Sequence, residues 1–204
     1  MLFRSHGGSG DIDAHRRAHY AGMAAKSASG AGERFWDDYN LAYVRAVGVP
    51  AAAETAAVRD LGLTRNSYTW RWPIPESVDA LRRLADRGVP MGVVSNASGQ
   101  IAEVLAASGV CQEGDGPHVP MRVIIDSHVV GVAKPDPGIF EFALVHFAEF
   151  DRSRIAYIGD SVTMDVGGAR AAGLHPILID PYGDHPGADF DTVASLAELL
   201  DVVV

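Results

Sequence analysis

From about residue 73 onward, short apolar runs alternate with helical stretches, and this alternation restricts the chain to a small set of folds. Pro75-Glu76-Ser77-Val78 puts proline in a first helical turn. Val78, Leu81 and Leu84 then share one face, and Gly88 ends the helix. Residues 89–94 form a continuous apolar run, the pattern of a strand buried on both faces. A helix bearing Ile101, Val104 and Leu105 follows, closed by Gly109, and Val123-Ile124-Ile125 reads as the next strand. Asp136-Pro137 starts a helix with Ile139, Phe140, Ala143, Leu144 and Phe147. Ile155-Ala156-Tyr157-Ile158 and Ile177-Leu178-Ile179 read as strands around a helix at 165–172 that Gly173 stops, and residues 195–201 read as a terminal helix. Helix–strand alternation at this spacing predicts right-handed crossovers and an α/β fold with a parallel sheet.

The residues before 73 behave differently. Residues 11–72 contain no convincing strand. Helices are predicted at 14–26, at 33–47, where Gly48 and Pro50 stop the run, and at 51–61, closed by Gly62. Trp36, Tyr39, Tyr43 and Val47 recur at helical spacing. They hold the helices together or, for a few of them, line a substrate pocket. Residues 1–10, with Gly7, Gly8 and Gly10, read as a flexible lead-in. The chain therefore divides into 1–10, 11–72 and 73–204.

Composition removes several functional classes. An apolar fraction of 48% supplies a core, and 21% charged residues is not a disordered composition. A net charge of -9 with no basic cluster leaves no footprint for nucleic acid. No apolar run is long enough to span a membrane, and the first residues have no apolar signal core. Cys111 is the single cysteine, which excludes an internal disulfide, fits a reducing cytoplasm and reads as inert packing.

In an open parallel sheet, ligands sit beyond the carboxyl ends of the strands. Three such ends carry notable polar residues. Ser95-Asn96 follows the first apolar run, where a hydroxyl and backbone amides can hold a phosphate oxygen or simply cap the next helix. Lys134-Pro135 places a lysine in a rigid turn before a helix, a fixed charge suited to a phosphoryl group. Gly159-Asp160 ends another strand, with Asp165 one helical turn further on. Two carboxylates so close repel unless a cation sits between them, and magnesium or a lysine meets that need.

Taken in order, strand-Ser, Lys-Pro and Gly-Asp with a second Asp five residues on, residues 73–182 resemble the haloacid dehalogenase (HAD) superfamily. The resemblance implies a Rossmann-like parallel sheet with helices on both faces, and a helical, C1-type cap over the site, formed by 11–72. It implies that Ser95, with Asn96, binds the transferred phosphoryl group. Lys134 neutralises the nucleophile and phosphoryl charge, and Asp160 and Asp165 bind or position magnesium. Catalysis is then expected from Ser95, Lys134 and Asp160. The expected substrate is a small phosphorylated metabolite, with neither nucleic acid nor membrane as a partner. The Gly-Asp form looks more like phosphatases than like metal-free dehalogenases. A metal-free dehalogenase and a non-catalytic module binding a phosphorylated ligand or a partner are the alternatives.

Members of this superfamily begin with an apolar strand ending in Asp-x-Asp-Gly-Thr. Its first aspartate attacks phosphorus and its second is the general acid and base. That strand lies in the middle of the sheet, between the strands ending here at Ser95 and Asp160. Asp11-Ile12-Asp13 has the right letters but follows Gly7-Gly8-Ser9-Gly10 and precedes Ala14-His15-Arg16, so it reads as a helix cap. The expectation is an interrupted sheet, weak magnesium binding and little or no turnover. A true start upstream of Met1 would explain the pattern.

Overall fold

The computed structural model describes residues 2–28, 35–64 and 72–202. Up to residue 64 the described residues are helical. They form α1 (Ile12–Ala28), α2 (Phe35–Ala46) and α3 (Glu54–Thr64), the last entered through a 3-10 turn at Ala51–Ala53. Residues 33 and 34, where the second helix was expected to begin, lie outside the described residues. α1 and α2 pack closely because Gly22 has no side chain: a Cβ there would meet the Tyr39 ring at 2.6 Å. Leu2–His6 forms a 3-10 turn, and Phe3 is buried with Val44, Val47, Val49 and Ala57. Gly8 N donates to Phe3 O and Ser9 N to Val47 O, so the glycine-rich lead-in is hydrogen-bonded to the helices.

The remainder alternates as expected. In chain order it runs α4 (Pro75–Asp86), β1 (Val93–Ser95), α5 (Ile101–Ala107), β2 (Cys111–Glu113), β3 (Val119–Met121) and β4 (Ile124–Asp126). Then come α6 (Ser127–Val130), α7 (Gly138–Leu144), β5 (Ala156–Gly159), α8 (Gly167–Ala171), β6 (His175–Ile179), β7 (Asp191–Val193) and α9 (Leu199–Val202). Every strand pair is parallel: β1 with β4, β2 with β3, and β5–β6–β7 in that order. Cys111 is buried within this core, and burial pushes its thiol up to about 11, as inert packing requires.

Among the described residues no strand joins β1 to β5. The two halves meet through side chains instead. On one face, Ile125 of β4, Ile139, Phe140 and Ala143 of α7 and Ala169 of α8 form a continuous core that includes Val94 and Tyr157. Phe140 meets Tyr157 edge-on, with ring centroids 4.8 Å apart. On the other face the core is divided. Val93 and Ile124 pack with Leu81, Leu105, Cys111 and Met121, whereas Ala156 and Ile158 pack with Ile177, Val193 and Leu199. Helices thus cover both faces; on the second face α4 packs against the chain end at 196–202, where the Arg87 guanidinium donates to Leu200 O.

Three expectations change. The run at 89–94 yields strand only at Val93–Ser95, and those residues are half-buried because β1 has one hydrogen-bonded neighbour instead of two. β2, β3 and β7 carry no apolar run, as in Cys-Gln-Glu and Asp-Thr-Val, and are held by pairing and burial of single residues such as Val193. The helix at 165–172 divides into a π turn, Val162–Val166, followed by α8.

Candidate active site at the seam

Lys134 is the hub of the site. It precedes α7, and its backbone is clamped by Asn96 in the loop after β1. Lys134 N donates to Asn96 Oδ1 at 2.8 Å, and Asn96 Nδ2 donates to Lys134 O at 2.9 Å. Asn96 therefore spends its carboxamide on orienting the lysine, a different task from the phosphoryl contact expected of it. The Lys134 ammonium donates to Asp165 Oδ1 at 2.7 Å, to Tyr157 Oη at 2.8 Å and to Val94 O at 3.2 Å. Burial works against this charge, but Tyr157 and Asp165 outweigh it and hold the ammonium above the ordinary lysine range. Burial likewise raises the Tyr157 hydroxyl, opposed by Lys134 and aided by Asp165, so Tyr157 stays neutral.

Asp165 is buried, and its position follows from local sequence. Ser161 caps the π turn, its Oγ accepting from Met164 N at 3.3 Å. The turn brings Asp165 back beneath its own loop, where Oδ2 accepts from Asp160 N at 3.1 Å and Ser161 N at 2.9 Å. Gly159 allows this approach: a Cβ there would fall 2.2 Å from the Asp165 carboxyl carbon. π turns recur at functional sites.

Asp160 faces the helical zone. Its Oδ2 lies 3.1 Å from His19 Nε2 of α1, and His19 Nδ1 lies 2.9 Å from Tyr39 Oη of α2. Burial raises the Asp160 carboxyl, but the His19 hydrogen bond outweighs it, with help from His19, Lys26 and Lys134 charge, and leaves it below the usual range. Tyr20, on the same helix, is pushed up to about 12 by burial and by Asp160. Ser95 ends β1 opposite Asp126, and among the described residues its half-buried hydroxyl has no hydrogen-bond partner. Asp126 turns its carboxylate to the backbone of the loop after β1, accepting from Gly99 N at 2.9 Å, and so shapes the loop that holds Asn96.

The helical zone docks on this rim at two further points. Ser27 Oγ accepts from Val162 N, and Ser27 O accepts from Thr163 Oγ1, each at 3.2 Å. Arg17 pairs with Asp184, Nη2 to Oδ1 being 2.8 Å, and stacks 4.7 Å from the centre of the Tyr182 ring. Elsewhere, a cavity of about 400 Å³ lined by Phe3, Arg4, His15 and Leu61 lies within the helical zone.

The structure thus joins Lys134, Asp165 and Asn96 directly, Asp160 through its backbone amide, and Ser95 through its neighbours Val94 and Asn96. The two acidic side chains do not share a cation site. Both Asp165 oxygens are taken by Lys134 and backbone amides, and one Asp160 oxygen faces His19. Among the described residues no three His, Cys, Asp or Glu side chains converge as metal ligands do. The donors present do not fit an assembled magnesium site, which takes six oxygens in near-octahedral order. Asp11 is exposed and accepts from Ala14 N at 3.2 Å, capping α1 far along the chain from Lys134. Sequence reasoning did not single out Tyr157 or His19. Tyr157 stands in an apolar strand as an ordinary core residue, and His19 is one of two histidines in the first helix.

Comparison with known proteins settles the family. A model described as haloacid dehalogenase-like hydrolase matches residues 10–173. The chain belongs to that family. It is 31% identical, over 147 residues, to haloacid dehalogenase-like hydrolase domain-containing protein 3 of Mus musculus, covering 72% of this chain and 55% of that protein. It is 31% identical to pyrimidine 5'-nucleotidase YjjG of Escherichia coli, covering 62% of this chain and 55% of the nucleotidase. The chain spans about half the length of these curated relatives. The fold of this HAD-like hydrolase is also that of a HAD phosphatase from Thermococcus onnurineus, with a TM-score of 0.56 at 19% identity over 96% of this chain and 94% of that one.

Proposed function

We propose that the seam between β1 and β5 is the phosphoryl-binding corner of a phosphomonoester hydrolase that acts on a small phosphorylated metabolite. One observation carries this reading. A buried ammonium is fixed on Val94 O at the carboxyl end of β1, and the next residue, Ser95, has a hydroxyl with no hydrogen-bond partner among the described residues. Phosphatases among the relatives support it. The Lys134 contact with Val94 O is its longest, and Tyr157 Oη serves the same carbonyl at 2.9 Å. A phosphoryl oxygen replaces that contact at little cost. Lys134 then stabilises charge on the equatorial oxygens while Ser95 donates to one of them. Asn96 positions the lysine backbone. Asp165 keeps the ammonium charged and oriented. Asp160, with one oxygen turned to His19, is the group aimed at the helical zone and at the leaving side of the substrate.

Among the described residues Asp165 is the carboxylate paired with Lys134, while the neighbouring Asp136 accepts from Gly138 N and Asp11 is spent on α1. We therefore propose low turnover and weak magnesium binding for this chain, in a reducing compartment such as the cytoplasm. The same observation favours a second reading, a phospho-ligand-binding module without chemistry. Hydrolysis of p-nitrophenyl phosphate, followed with magnesium and with EDTA, separates the two. Saturable phosphate binding with no turnover under either condition supports the module. Magnesium-dependent turnover abolished in Asp160→Ala establishes the enzyme. Absence of both phosphate binding and turnover contradicts the phosphoryl corner itself.

A further inference from the structure

Two matching rungs join α1 to α2. His15 Nδ1 lies 3.0 Å from Tyr43 Oη, and His19 Nδ1 lies 2.9 Å from Tyr39 Oη. Both the histidines and the tyrosines are spaced i, i+4, so the rungs sit one helical turn apart on facing sides of the two helices. A phenol that donates to Nδ1 leaves the hydrogen of the neutral ring on Nε2, ready for an acceptor. In the His19 rung that acceptor is the Asp160 carboxylate, at 3.1 Å. In the His15 rung, Nε2 has no hydrogen-bond partner among the described residues. His15 instead lines the cavity of about 400 Å³, together with Phe3, Arg4, Ser9 and Leu61.

The glycine-rich segment before α1 builds another wall of this cavity and is held in place. Gly8 N donates to Phe3 O at 2.8 Å and Ser9 N to Val47 O at 2.7 Å. A Cβ at Gly10 would fall 2.0 Å from Arg4 Nε, so glycine there lets the guanidinium lie across the segment. Ser9 Oγ accepts from Asp11 N at 3.0 Å, and among the described residues its own hydrogen has no acceptor. Phe3, whose ring centroid is 5.4 Å from that of His15, and Leu61 supply apolar surface. The described lining residues include no carboxylate, although the chain carries a net charge of -9. A guanidinium, an imidazole and a hydroxyl beside an apolar wall suit an anionic head on an apolar body, and the volume lies in the range of small-ligand pockets, about 300–1,000 Å³.

We propose that this cavity is a second ligand site, separate from the phosphoryl corner, that takes a small organic monocarboxylate with an apolar body. The carboxylate accepts from His15 Nε2 and Ser9 Oγ within the positive field of Arg4, as Asp160 accepts from His19 one turn away. The apolar body lies against Phe3 and Leu61. The site does not depend on the phosphoryl reading of the seam.

Calorimetry on the full chain tests it with three probes: phenylacetate, phenylacetamide, which keeps the body without the charge, and acetate, which keeps the charge without the body. Phenylacetate should bind saturably with a Kd of about 1 mM or tighter. The other two should bind about tenfold or more weakly, since each lacks either the charge-assisted contacts or the apolar burial. His15→Phe keeps the ring and removes Nε2, and the preference for phenylacetate over phenylacetamide should fall about tenfold. A merely structural histidine would lower stability and leave that ratio unchanged. Ser9→Ala should reduce the ratio in the same direction, and it carries the test if His15→Phe does not fold. Saturating inorganic phosphate should leave phenylacetate binding unchanged. Displacement by phosphate, equal binding of the three probes, or a ratio that survives both substitutions overturns the site. So does the absence of saturable phenylacetate binding up to about 10 mM.

Discussion

Asp160 and Asp165 lie five residues apart on one loop, yet their surroundings differ. Asp165 is enclosed by the core: its side chain is 7% exposed, and its partners are Lys134, Tyr157 and two backbone amides of its own loop. Asp160 has a side chain 39% exposed, and its partner, His19, comes from the helical zone. The inner carboxylate belongs to the architecture of the seam and sets the charge of Lys134. The outer one faces α1 of the helical zone. One sequence motif thus supplies a buried carboxylate tied to the core and a more exposed one tied to the helical zone.

The comparison breaks most readily at Lys134. Lys134→Met leaves Asp165 buried without its cation, and chemical denaturation should show a loss of about 3–5 kcal/mol. A loss under about 1 kcal/mol, the range of exposed pairs, would place the inner pair on the same footing as the outer one. His19→Ala should cost no more than about 1 kcal/mol in the same experiment, because Asp160 regains water when its partner is removed. The smallest effect belongs to the peripheral dock. Arg17→Ala should cost about 0.5 kcal/mol near neutrality. Its Arg17 hydrogen bond holds Asp184 below the usual carboxylate range. The contribution is therefore present above the unfolded carboxyl value of about 3.9 and is lost as pH falls through the lower folded value. The gap between wild type and variant should close in acid, and a gap that stays constant through acid unfolding contradicts that origin.

Much of this arrangement was legible in the sequence, for physical reasons that differ by residue. The helix at Pro75 and the strands around Ile124, Ile158 and Ile177 were readable because burial imposes an apolar period. Ser95, Lys134, Asp160 and Asp165 were readable because strand ends and rigid turns fix where polar groups point. The gap between β1 and β5 was expected from the position of the Asp-x-Asp letters, which stand after glycines and cap α1. β2, β3 and β7 were not readable, since Cys-Gln-Glu, Val-Pro-Met and Asp-Thr-Val carry no continuous apolar run. Tyr157 was hidden because its ring packs with Phe140 as any core aromatic would, while its hydroxyl serves Lys134. The His19–Asp160 contact spans 141 positions and depends on how α1 docks, which no local pattern encodes.

The central claim is that the seam binds a phosphoryl group through Lys134 and Ser95. Ser95→Ala tests it without disturbing the fold, since among the described residues the hydroxyl has no protein partner. Inorganic phosphate should bind the wild-type chain saturably and bind Ser95→Ala about tenfold more weakly, the value of one hydrogen bond to a charged group. Stability should stay within about 0.5 kcal/mol. Equal phosphate affinity in the two proteins, at equal stability, would contradict the account.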